Sequence, residues 1–270
     1  MTRSFLTRLL LCASTVFLLV SCQKDLSTKN NLPPDLAAAS KMNSGLQSEK
    51  TNTYYGPQVQ LGDGKVRTFF TVTHTNVPTE IGIEMTAGAL QGLPDENVQL
   101  SFPFHKKASE STPFVHVLMD WNVHGHEPAF YQLPHFDFHF YMTSEAERMA
   151  ISATSPLIDQ LPPQQYWPQG FVPTPGGVPQ MGKHWVNPAS PEISGGKTFT
   201  HTMIYGSYAG KFIFVEPMIT RAFLLSGQEV HMPYGQPTQF MITNTYYPTT
   251  YNVNSKDGKI YISLTNFVWR

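Results

Sequence analysis

The chain is poor in cysteine, poor in charge and short of apolar runs, and each shortage removes a class of function. Its cysteines are Cys12 and Cys22 alone. A disulfide framework or a thiolate zinc cluster needs more thiols than that. Lys, Arg, Asp and Glu make up 14% of the residues, with 18 basic against 19 acidic side chains and no basic run. Nucleic acid is therefore not an expected partner, because clustered basic charge is the footprint of such binding. The apolar stretch Leu9 to Leu19 is shorter than the ~20 residues that span a bilayer. There is no Gly-x-Ser-x-Gly elbow, no Gly-rich phosphate loop ahead of a helix and no His-Glu-x-x-His. No carboxylate pair stands out for glycoside hydrolysis.

Arg3 and Arg8 ahead of the short apolar stretch read as a secretory signal. The stretch ends in Leu19-Val20-Ser21-Cys22, which resembles the lipobox of bacterial lipoproteins. That resemblance implies cleavage before Cys22 and acylation of Cys22. The expected organisation is a signal peptide over 1–21, a lipidated cysteine and polar tether over 22–52, and a single β-rich domain over 53–270. The expected location is the bacterial cell envelope, extracytoplasmic and lipid-anchored, at the outer membrane in preference to the inner one. The membrane is then a partner through acyl chains rather than a spanning helix. Loss of Arg3 and Arg8 leaves 16 basic against 19 acidic residues, a formal charge of −3.

Aromatics reach 13% and prolines number 22. Short β-branched and aromatic runs separated by Gly, Pro, Asn and Asp predict an all-β domain, a sandwich or jelly-roll-like barrel. Strands are expected at 66–73, 80–86, 98–104, 114–120, 136–142, 198–205, 211–216, 238–244, 249–253 and 259–267. One short helix is expected over 143–150, where a cap candidate precedes acids in the first turn. The segment 219–225 fits a strand or a short helix. Residues 156–191 hold nine prolines and read as a long loop, either a lid that carries His184 or a surface wrap.

Four of the ten histidines fall between His124 and His139. Within that window Pro134-His135-Phe136-Asp137-Phe138-His139-Phe140-Tyr141 alternates without a break. Successive side chains of a strand point to opposite faces. His135, Asp137 and His139 then share one face, expected to be wet, hydrogen-bonded or bound, and the three phenylalanines share the other. Imidazole and carboxylate together suit a divalent transition metal, zinc first. At ~3.3 Å per residue, His135 and His139 lie ~13 Å apart, too far to share one ion, whereas Asp137 and His139 are ~6.6 Å apart. Further donors must come from other segments: His126 on the preceding loop, His184, and His201 with Glu216. If residues 207–210 form a four-residue loop, His201 lies opposite Glu216. His74, His105, His116 and His231 read as hydrogen-bonded structural residues. The candidate metal ligands are thus His135, His139, His184, Glu216, Asp137, His126 and His201.

The segments Gly125-His126-Glu127-Pro128, 134–141, Met181-Gly182-Lys183-His184-Trp185 and Tyr205-Gly206 through Glu216-Pro217-Met218 resemble a family of bacterial exported proteins known mainly as a domain of unknown function. The resemblance implies that His126, His135, Asp137, His139, His184 and Glu216 act as one constellation, and it implies no activity. A looser likeness to cupins fails on spacing, because Glu127 directly follows His124-Gly125-His126. Three functions remain open: a metal-binding domain that, if catalytic, acts on a small substrate, a non-enzymatic envelope module that binds a small-molecule ligand or a partner, or a structural subunit of an envelope assembly. The anchor is checked directly: Cys22→Ser is expected to abolish palmitate incorporation and release the protein from membranes. Undiminished labelling contradicts it.

Overall fold

The computed structural model describes residues 50–270, so the signal and Cys22 lie outside it. Fourteen strands pair into two antiparallel sheets. One sheet takes β1 (Thr51–Tyr55), β2 (Val59–Leu61), β3 (Gly64–Thr73), β4 (Pro78–Thr86), β12 (Val230–Pro233), β13 (Tyr246–Lys256) and β14 (Lys259–Trp269). Its order is β1-β3-β4-β14-β13-β12, with β2 paired to β3. The other takes β5 (Val98–Pro103), β6 (His116–Asn122), β7 (His135–Tyr141), β8 (Val172–Pro173), β9 (Lys183–Val186), β10 (His201–Tyr208) and β11 (Lys211–Thr220). Its order is β5-β6-β7-β11-β10-β9-β8. The domain is a sandwich with no closed barrel among the described residues.

The core lies between the sheets and follows from alternation. Phe70, Ile81, Ile83, Ile262 and Leu264 from one sheet meet Val117, Met119, Phe136, Phe138, Phe140, Val215 and Ile219 from the other. Every second residue of β7 is therefore committed to this core. The intervening His135, Asp137 and His139 must point away from the partner sheet.

Among the described residues, four short α-helices replace the single one expected: α1 (Lys106–Ser111), α2 (Glu145–Met149), α3 (Pro191–Ser194) and α4 (Arg221–Ser226). Helix α2 is the expected one, closed by a capping box between Ser144 and Glu147. The ambiguous segment 219–225 is both things in turn, with β11 running to Thr220 and α4 following. Residues 238–244 form no strand. Gln239 N–H and the Thr238 hydroxyl instead donate to the Gln165 carbonyl, which ties the segment to the Pro-rich region. That region is neither a lid nor only a wrap, because it supplies β8 and β9 to the edge of the second sheet. Strand β1 starts at Thr51, inside the stretch read as tether up to Asn52.

The β10–β11 hairpin also departs from expectation. Its loop has two residues, Ala209 and Gly210, both at positive φ (50° and 76°), as a type I′ turn requires. A bulge between Gly206 and Ser207 then shifts the register by one. Ile204 lies opposite Glu216, and His201 lies opposite Ile219.

Candidate metal centre

The outward face of β7 is not wet. His135, Asp137 and His139 are 0%, 5% and 1% exposed. Apolar side chains from distant segments close over them. Tyr131 and Phe199 cover one end, and Phe214, Ile151 and Ile158 cover the other. Phe199 stands edge-on to His135 at 5.4 Å, and Phe214 edge-on to His139 at 4.9 Å. Gly206 makes room for Phe214, since a Cβ there would lie 2.0 Å from its ring. Burial of unpaired polar groups costs roughly 1–3 kcal/mol each in proteins, so this face needs partners.

Two groups of three form on it, each with one donor atom per residue within 4.8 Å of the others. The first joins His139, His184 and Glu216. Phe214 pairs with Tyr141 and Met218 with Asp137, which sets Glu216 beside His139 between them. His184 reaches the same point from β9, where it lies opposite Gly206 of β10. His139 Nε2 is 3.3 Å from Glu216 Oε1, and His184 Nε2 is 3.7 Å from Glu216 Oε2. Neither nitrogen of His139 has a well-aligned hydrogen bond among the described residues, and neither does Glu216 Oε2. The other nitrogen of His139, Nδ1, faces Asp120 Oδ2 at 3.4 Å, and that oxygen is unpaired too.

The second group joins His126, His135 and Asp137. Gly125, at φ +69°, turns the loop so that His126 N–H meets the Tyr131 carbonyl and the ring comes back over β7. His126 Nε2 is 3.5 Å from Asp137 Oδ2, and His135 Nε2 is 3.0 Å from Asp137 Oδ1. The Asn122 amide donates to Asp137 Oδ2 at 2.8 Å.

Electrostatics follow burial. Desolvation pushes His139 down to about 3 and His184 down to about 4, so both rings are neutral at pH 7 with lone pairs available. Desolvation, then the charges of Asp137 and Asp120, raise Glu216 well above the carboxylate range. Desolvation and Asp137 push Asp120 up to about 7. Asp137 goes the other way: burial opposes its charge, yet His126 and His135 more than offset this and hold its carboxyl low. Burial also opposes charge on His126, and Asp137 overrides it to raise that pKa.

Of the candidate ligands, the structure keeps His201 apart. It points between the sheets, with Nδ1 2.7 Å from the Tyr251 hydroxyl and its ring edge-on to Phe223. The register shift described above accounts for this. His135 and His139 sit in different groups, so the imidazoles do not converge on one point. Among the other histidines, His105 caps α1 and stacks on Tyr54, and His231 bonds Asn252. His116 stacks on Tyr141 at 4.8 Å. Sequence reasoning passed over Asp120 and Asn122, which line the same face from β6. Their signal was present as the alternation His116-x-Leu118-x-Asp120-x-Asn122 in the strand before β7.

No family model, curated protein or solved structure matches the chain.

Asp120 gives a test that needs no metal. Its folded pKa of about 7 exceeds the ordinary 3.8, so the folded state holds a proton that the unfolded state releases. That contribution to stability is present below about pH 4 and is lost as pH rises to about 7. With chelator present, Asp120→Asn is expected to gain stability relative to the parent across pH 4–7 in urea unfolding. A constant difference over that range contradicts the assignment.

Proposed function

We propose that this chain is a lipid-anchored protein of the bacterial cell envelope whose β-sandwich binds a divalent transition metal, zinc first, between His139, His184 and Glu216. The observation that carries this reading is a concentration of buried atoms without hydrogen bonds: of nine among the described residues, three are the two nitrogens of His139 and Glu216 Oε2. A native interior rarely leaves such atoms orphaned unless something absent from the polypeptide satisfies them. Tetrahedral zinc with ligands at ~2.0–2.1 Å holds neighbouring donors ~3.3 Å apart; here the two imidazoles stand 3.3 and 3.7 Å from the two oxygens of Glu216, and one donor atom from each residue lies within 4.8 Å of the others. Two neutral imidazoles and one carboxylate are a zinc donor set with a fourth position left for water or substrate. A dication also reverses the local pKa logic and stabilises ionised Glu216.

An ion held this way would activate water or polarise an oxygen of a small substrate. His184, 18% exposed at its side chain, marks the side from which a substrate would approach. The lipobox-like segment supports the anchor, and the motif segments that resemble an exported family all contribute to this face of the sheet.

The alternative, a non-enzymatic ligand-binding module, draws on a separate observation. An aromatic pocket of about 50 Å³ is lined by residues including Phe114, Tyr166, Tyr205, Phe212, Tyr234 and Phe240. The Tyr205, Tyr234 and Tyr247 hydroxyls there already donate to main-chain carbonyls, which leaves an apolar interior.

Metal analysis of untagged protein separates the two. Loss of an orienting partner alone weakens metal binding 10–100-fold, so Glu216→Gln and His184→Ala are each expected to weaken zinc binding at least ~100-fold. His201→Ala is expected to leave it unchanged, and chelation to lower the parent's Tm. Unaltered binding in Glu216→Gln and His184→Ala, or a Tm indifferent to chelator, favours the ligand-binding module.

A further inference from the structure

We infer that His126, His135 and Asp137 form a second divalent-cation site, distinct in its donors from the first and more open to solvent. The inference extends the metal reading to other atoms and fails or stands separately from it.

His135 Nδ1 lies 2.6 Å from the Leu133 carbonyl, and His126 Nδ1 lies 2.7 Å from the Glu127 carbonyl. A carbonyl oxygen only accepts, so both rings carry their proton on Nδ1. Each Nε2 is then turned inward with its lone pair. This is how metal-bound histidines are held: one nitrogen anchored to main chain or carboxylate, the other presented to the ion. Two separate loops make the same arrangement here, one turning at Gly125 and one ending at Pro134.

What the two Nε2 atoms face is a carboxylate, which has no proton to give when ionised. Asp137 Oδ1 is buried and makes no well-aligned hydrogen bond, although His135 Nε2 lies 3.0 Å away. Three acceptors in close contact call for positive charge between or on them, since the Asn122 amide is 3.5 Å from His135 Nε2 and sits closer, at 2.8 Å, to Asp137 Oδ2. A single imidazolium at His126 would leave the His135 Nε2 lone pair facing Asp137 Oδ1 at 3.0 Å, and two imidazolium rings with centroids 4.7 Å apart would repel each other. One dication among three donors satisfies all of them at once. Asn122 completes the setting: its amide donates to Asp137 Oδ2, which orients the carboxylate as outer partners of metal ligands do.

The donors are two nitrogens and one oxygen, so the cation belongs to the zinc class rather than the calcium or magnesium class, which take oxygen ligands. The two sites differ in access. The most exposed ligand of this site, the His126 side chain, is 39% exposed, against 18% for His184, the most exposed ligand of the first. The second ion therefore exchanges faster.

Zinc per chain in the full-length protein, purified without a histidine tag and equilibrated in a zinc buffer, tests this. The variants are His126→Ala and the pair Glu216→Gln/His184→Ala. His126→Ala removes a half-exposed loop side chain, and Asp137→Asn provides a second, nearly isosteric variant; circular dichroism and Tm check that each folds. Two ions in the parent, one in His126→Ala and in Asp137→Asn, and one in the Glu216/His184 pair establish the second site. A chelator is then expected to remove the His126-dependent ion at least tenfold faster. One ion in the parent that survives His126→Ala and vanishes in the Glu216/His184 pair overturns the second site and leaves the first. One ion with the reverse pattern leaves the second and overturns the first. No ion overturns both.

Discussion

Strand β7 has no solvent-facing side, and the rest of the site follows from that constraint. Its phenylalanines are held between two sheets, which fixes the strand in the middle of the sandwich. Its ionisable side chains then have to be buried on the opposite face with whatever partners neighbouring strands supply. An unpaired charge in such a place is too costly to keep, so the groups must neutralise, pair or bind an ion. Asp137 is paired with histidines and stays charged. Glu216 and Asp120 lie beside it and pull protons instead. The apolar cover from Tyr131, Phe199, Phe214 and Ile158 raises the stakes by keeping water out.

Sheet geometry makes the arrangement rigid. Donors arrive from four strands of one sheet: Asp120 and Asn122 on β6, His135, Asp137 and His139 on β7, Glu216 on β11 and His184 on β9. Strand pairing holds the donor atoms of His139, His184 and Glu216 within 4.8 Å of one another. His126 is the exception, since it comes from a loop. A divalent ion at such a place would act as both ligand and staple, because free energy of metal binding to a preformed site adds to folding stability.

Much of this was legible. The unbroken alternation from His135 to Tyr141 told which residues share a face, and the long strands β3, β4, β6, β7, β11 and β14 showed themselves by their apolar runs. What was not legible came from tertiary context. The burial of the His/Asp face depends on apolar residues such as Phe199 and Ile158 far along the chain, which no local pattern assigns to it. Strands β8 and β9 are two and four residues long in a Pro-rich stretch and have no periodicity to read. The hairpin register failed twice: a two-residue loop in place of four moved it by two, and the bulge at Gly206 by one more, which put His201 on the other face from Glu216. A one-residue error in register moves a side chain to the other face of a sheet. The polar alternation of β6 was readable and was passed over, because His116 by itself looks structural.

Anomalous diffraction at the zinc edge, from crystals grown with zinc present, tests the central claim most directly. The account predicts a peak ~2.0–2.1 Å from the Nε2 atoms of His139 and His184 and from a Glu216 oxygen. Maps without density there, with His139 hydrogen-bonded straight to a protonated Glu216, would contradict it.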